Sequence, residues 1–98
     1  MNIIRVKEDS VLHLRLEGRL DTTTAPQLEE ELKQSIADVT ELVMDFEALE
    51  YISSAGLRVL LSAQKIMNKQ GEMRLTGVTE AVREVFDITG FSDILTIE

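Results

Sequence analysis

The chain has 98 residues, a single histidine, no cysteine and a formal net charge of −8. That length suits one domain, spanning 1–98, with a core of its own, and the lack of cysteine excludes a disulfide framework and a thiolate metal site. A field of this sign repels phosphate backbones and anionic lipid heads, which disfavours nucleic acid and membranes as partners and favours a basic protein surface, although solubility alone explains the charge equally well.

The start, MNIIRVKEDSV, carries charge by its fifth residue and lacks the apolar run of a signal peptide. No apolar stretch is long enough to span a bilayer, and with the missing cysteines this points to the cytoplasm. A short strand is predicted over Ile3 to Lys7 and a turn at Glu8-Asp9-Ser10. In VLHLRLEG, Leu12, Leu14 and Leu16 alternate with His13, Arg15 and Glu17, the period of a half-buried strand. The two strands and their short turn predict an antiparallel hairpin.

Thr24 with Gln27 three residues later reads as a capping box, and Pro26 fits a first helical turn. Leu28, Leu32 and Ile36 mark the apolar stripe of that helix. ELVMDF places Leu42, Val43 and Met44 in a row, which suggests a strand covered on both faces. A turn then leads into a helix from about Ser54 to Lys69. Lys65 and Lys69 suit its negative end and Gly71 suits its stop. EMRLTGV reads as a strand, Thr79 opens a last helix with Glu80 in its first turn and Gly90 beyond its end, and DILTIE reads as a final strand. The predicted order is β-β-α-β-α-β-α-β. This is an α/β fold with a mixed sheet: an antiparallel N-terminal strand, then parallel βαβ units.

Most catalytic motifs are absent. Neither GxGxxG nor GxxxxGK[ST] occurs, and ISSAG lacks the first glycine of a nucleophile elbow. His13 reads as a solvated strand histidine. Asp21 and Asp45 each follow a strand, at the sheet edge where Ser54 also lies. That set resembles a magnesium-dependent phosphoryl site, but aspartate after a strand is ordinary turn chemistry. No metal or cofactor is assigned.

The pair Ser53-Ser54 at a helix start reads first as a plain cap. The same position also suits a phosphate acceptor. A phosphoserine there sets about −1.5 to −2 charge beside free backbone N–H groups, which tolerate it without unfolding. Ala55 and Gly56 keep the patch low for a close protein approach. In the helix beyond, Leu57, Leu60, Leu61 and Gln64 lie on one side, and Val59, Ala63 and Ile66 on another. So broad an apolar band reads as core, with Arg58 and Gln64 as exposed rim.

The segments EGRLDTTTAPQLEEEL, LVMDFEALEYISSAGLRVLLSAQK and MRLTGVTEAVREVFDITGF, in that order and over nearly the whole chain, resemble the STAS family of anti-sigma-factor antagonists. The resemblance implies helices mainly on one face of a mixed sheet. It also implies a non-enzymatic regulator. When unphosphorylated, such a protein binds an anti-sigma factor that is a serine kinase, and so releases the sigma factor. Phosphorylation of the serine two residues before Gly-Leu ends that binding, and a metal-dependent serine phosphatase restores it. Here that serine is Ser54, with Ser53 as rival. Many members carry Asp directly before the acceptor; Ser53 stands there in this chain and removes one negative charge. The implied interface comprises Asp21, Thr22, Thr23, Ser53, Ser54, Ala55, Gly56 and Arg58, on a protein that is a monomer when free. Some members are instead constitutive interaction modules of larger complexes, without phosphorylation.

Overall fold

The computed structural model describes residues 1–98. Strands β1 (Asn2–Glu8) and β2 (Val11–Leu20) form the expected antiparallel hairpin, with Glu8 opposite Val11 across the turn and Asp9 at φ 55°. Helix α1 (Ala25–Ser35) leads to β3 (Glu41–Asp45), which lies parallel to β2. A fourth strand, β4 (Leu49–Ile52), follows directly, then helix α2 (Ser54–Gln70), β5 (Glu72–Thr76) and helix α3 (Glu80–Thr89). The sheet runs β1-β2-β3-β5, and β4 pairs with β2.

The segment before the serines is therefore a strand, where the sequence reading placed a turn. The ten-residue β2 changes partner along its length. Val11 to Arg15 pair with β3, and Gly18 to Leu20 pair in parallel with β4. Gly18, at φ 106°, opens the second half, and the register shifts within it: Gly18 faces Leu49 and Arg19 faces Tyr51, so Glu50 of β4 is the residue passed over.

At the other end of the chain, DILTIE forms no full strand. A 3-10 turn occupies Phe91–Asp93, and only Ile97 bridges to Leu75 of β5, with Glu98 held by Arg74 at 3.1 Å.

Alternation puts Leu12, Leu14 and Leu16 of β2 on the same face as Leu42 and Met44 of β3 and Met73 and Leu75 of β5. These pack with Leu28 and Leu32 of α1, Leu57, Leu60 and Met67 of α2, and Val82 and Phe86 of α3 in one cluster of 24 buried residues. All three helices thus feed the same side of the sheet. The expectation that β3 is covered on both faces holds only in its result. Val43 is buried on the other face, but its surround there comprises sheet side chains such as Ile4, His13 and Arg15. Polar ladders line that face: Arg15 bonds Asp45 at 2.8 Å and Glu17 at 3.1 Å, and Arg74 bonds Glu41 at 2.7 Å.

The predicted capping box of α1 does not form. The Thr24 hydroxyl accepts from the Asp21 N–H at 2.8 Å and donates to the Arg19 carbonyl at 2.7 Å, so it is committed to the preceding turn. Gln27 reaches the Met1 carbonyl instead, at 3.1 Å. Gln64, expected at an exposed rim, is 7% exposed. Its spacing from Leu57 and Leu60 sets it on the core stripe, where it donates to Asn68 at 2.9 Å.

Candidate functional site

Two backbone segments meet where β2 and β4 end. Ser53 N–H donates to the Leu20 carbonyl at 2.9 Å, which ties the start of α2 to the segment Asp21-Thr22-Thr23. Gly56 fixes how close the two come. A Cβ at that position would stand 2.7 Å from Leu20 Cγ and 2.9 Å from Ile52 Cγ1. Gly56 is buried, and it sets the depth of the first turn.

The serines have different positions. Ser53 is the N-cap of α2, in extended backbone at ψ 176°, and its half-buried hydroxyl accepts from Gly56 N–H at 3.5 Å. Ser54 is the first helical residue. It is exposed, and its hydroxyl bonds to no other group of the chain. Ala55 beside it is half-buried and small.

Asp21 organises the neighbouring loop. Its Oδ1 accepts from the Thr23 hydroxyl at 2.7 Å, the Thr23 N–H at 3.0 Å and the Thr24 N–H at 3.2 Å. These donors, led by the Thr23 hydroxyl, hold the carboxyl below the usual carboxylate range, against an opposing contribution from desolvation. Thr22 and Thr23 are left exposed on this ordered turn. Thr22, Ala55 and Arg58 line a groove of about 310 Å³ between α1 and α2, with Glu29 and Ser62.

Asp21 and Asp45 belong to separate hydrogen-bond networks. Asp45 is taken up by Arg15 at 2.8 Å and by the Glu47 N–H at 2.9 Å, a network that shares no residue with the Asp21 turn. His13 is exposed on β2 and is not among the residues lining the groove near the serines. No group of three or more His, Asp or Glu side chains is arranged to hold a metal ion. No helix is long and apolar enough to cross a membrane.

One pair at this end escaped the sequence reading. Arg19 and Tyr51 are register partners across β2 and β4, with the guanidinium 4.3 Å from the ring centroid. Arg19 also stands 3.7 Å from Asp21. The signal lay in LEYI: an aromatic residue between Leu49 and Ile52 favours a strand, and that strand sets Tyr51 over Arg19.

Residues 2–98 match the STAS domain. BtrV of Bordetella bronchiseptica, assigned as an anti-sigma factor antagonist, is 40% identical over 99 residues, spanning 99% of this chain and 85% of its own. The anti-sigma-B factor antagonist of Staphylococcus aureus is 29% identical over 99 residues, spanning 99% and 92%. The anti-sigma factor antagonist SpoIIAA in its unphosphorylated form superposes with a TM-score of 0.85 at 22% identity, over 99% of this chain and 88% of that one. The Bacillus cell-fate determinant SpoIIAA in its phosphorylated form does so at 0.77 and 21%, over 99% and 91%.

Proposed function

The chain belongs to the STAS domain family, and from that premise we propose that it is an anti-sigma factor antagonist switched by phosphorylation of Ser54. In the unmodified state it binds an anti-sigma serine kinase and so frees a sigma factor. Transfer then ends the binding. The Ser54 oxygen attacks the γ-phosphorus of the kinase's ATP, the bond to the β-phosphate oxygen breaks, ADP leaves, and the hydroxyl proton passes to a base of the kinase. A metal-dependent serine phosphatase reverses the state: water attacks phosphorus, the Ser54 oxygen departs, and inorganic phosphate is released. This chain is substrate and ligand throughout, and the catalysts are its partners.

The observation that carries this reading is the division of labour between the serines. Ser53 Oγ is half-buried and serves the cap, whereas Ser54 Oγ is exposed and unbonded. A nucleophile must reach the kinase's phosphate in line, which a hydroxyl held against its own helix does not do without first breaking the cap. A phosphate at the first helical position gains from the N-terminal N–H groups and the helix dipole, so the fold survives the charge. The relatives' designation and the existence of SpoIIAA in phosphorylated and unphosphorylated forms support the same reading.

Incubation with the cognate kinase and ATP, read by intact mass, is expected to add one phosphate, and Ser54→Ala to abolish it. Labelling that persists in Ser54→Ala and vanishes in Ser53→Ala would overturn the assignment. Tight kinase binding with no labelling would mark a constitutive module instead.

A further inference from the structure

The charges of α2 are distributed unusually for so acidic a chain. The helix contains no Asp or Glu, and its cations are Arg58, Lys65 and Lys69. Lys65 and Lys69 lie toward the C-terminal end, where the helix dipole favours positive charge. Arg58 lies in the second turn, where the dipole opposes it. Arg5, Arg15, Arg19 and Arg74 all form ion pairs. Arg83 has none but sits among Glu80, Glu84 and Asp87. Arg58 is exposed and forms no ion pair and no hydrogen bond.

The carboxylates nearest by placement are engaged elsewhere. Glu29, across the groove on α1, pairs with Lys33 at 3.7 Å, and Asp21 is bound by Thr23, Thr24 and Arg19. Position 58 is four residues after Ser54, so the two side chains are neighbours on the helix surface. Helical side chains lean toward the N-terminus, which aims Arg58 at Ser54 rather than away from it. A planar guanidinium matches two phosphate oxygens at once.

We propose that Arg58 closes on the phosphate of modified Ser54, so that one modification both adds an anion to the docking surface and withdraws its free cation. The inference rests on Ser54 as acceptor. In the unmodified protein Arg58 is available to a carboxylate of the partner. In the modified protein it is occupied from within, and the partner meets a surface altered at both places. Arg58 is a positioning residue in this account. The backbone N–H groups of the first turn receive the phosphate, and the guanidinium fixes it over α2.

The test installs phosphoserine at position 54 during translation, without a kinase, and follows the phosphate by ³¹P NMR titration at 0.15 M salt. The phosphate's second pKa, about 6 when free, is expected to lie about one unit lower in the parent than in Arg58→Gln. Arg58→Lys should retain part of that shift, since an ammonium is a point charge without the fork. Lys65→Gln should leave it unchanged. Equal phosphate pKa values in the parent and Arg58→Gln would overturn the proposal, as would an equal change from Lys65→Gln, which would reveal diffuse charge in place of a contact. Because no kinase is used, an unmoved phosphate removes only the Arg58 contact, whereas kinase labelling at another residue removes the acceptor assignment.

Discussion

At its C-terminal end α2 stops on Gly71, where a Cβ would stand 1.9 Å from the Thr40 carbonyl oxygen; at its N-terminal end Gly56 brings the first turn against Leu20 and Ile52. Both glycines allow close approach, but to different things. Gly71 meets backbone, and the backbone groups around it are tied together. Its N–H bonds the Met67 carbonyl at 2.7 Å, Glu72 N–H bonds the Thr40 carbonyl at 3.0 Å, and Gln70 Nε2 closes the carbonyls of Ile36 at 3.0 Å and Val39 at 2.7 Å. Gly56 meets side chains, and the end it serves leaves the Ser54 hydroxyl and the Arg58 guanidinium unspent. A helix end clamped through backbone carbonyls is a structural joint. An end that keeps polar groups free on a rigid base is prepared for another molecule.

The largest expected effect breaks the joint. Gly71→Ala forces a methyl onto a carbonyl held between strand and helix, with no flexible side chain to yield. A loss of about 3 kcal/mol or more is expected, lowering Tm by on the order of 15 °C. Gly56→Ala presses on Leu and Ile side chains that can shift, and it gains about 1 kcal/mol of helix propensity. Its net cost should be about 1 kcal/mol, yet it displaces the first turn, so kinase labelling of Ser54 should slow more than that stability change explains. Thermal melts of both variants, with labelling rates for Gly56→Ala, check this. Equal losses of stability would erase the distinction between the ends.

Ser53→Ala comes next. The cap hydrogen bond is long, at 3.5 Å, so the cost should fall at the lower side of the usual range for lost caps, about 0.5–1 kcal/mol. Kinase labelling of Ser54 should persist in this variant. A denaturant midpoint that moves while labelling is retained would separate cap from acceptor. Loss of labelling at unchanged stability would reverse their roles.

The sequence made this end of the molecule legible in part. The periodicity of Leu12, Leu14 and Leu16 and the stripe of Leu28, Leu32 and Ile36 specified the hairpin and α1, because burial on one face leaves a period. The start of α2 at the serines was equally readable, from hydroxyls preceding an apolar run. Strand β4 was not. It has four residues, and its pairing with β2 carries a register shift at Glu50 that no local signal announces. Missing β4 meant missing the contact of Tyr51 with Arg19. Gln64 was misplaced because polarity was weighed above its spacing on the core stripe. Thr24 was read as a cap because a hydroxyl before a helix often is one, and only the fold decides that it turns back to Arg19 while the Asp21 carboxylate gathers the N–H groups of Thr23 and Thr24.

The Asp21 turn gives the smallest effect and the most specific one. Asp21→Asn keeps an acceptor oxygen for Thr23 and Thr24 but removes the charge. Because the folded carboxyl is held below its ordinary range, its stabilisation is full above the unfolded pKa, near ~4, and is lost as pH falls through the folded value. The parent should therefore be the more stable protein at pH 7. The gap in Tm should narrow as acid protonates Asp21 and makes it resemble asparagine. Asp38, held low by the hydrogen bond and charge of Lys7, titrates in both proteins and cancels from the difference. A gap that stays constant from neutral pH to about pH 2 would mean that the turn is held by oxygen geometry alone. The carboxylate charge would then be free for a partner, and the Asp21 turn would join Ser54 and Arg58 among the unspent groups at this end of the molecule.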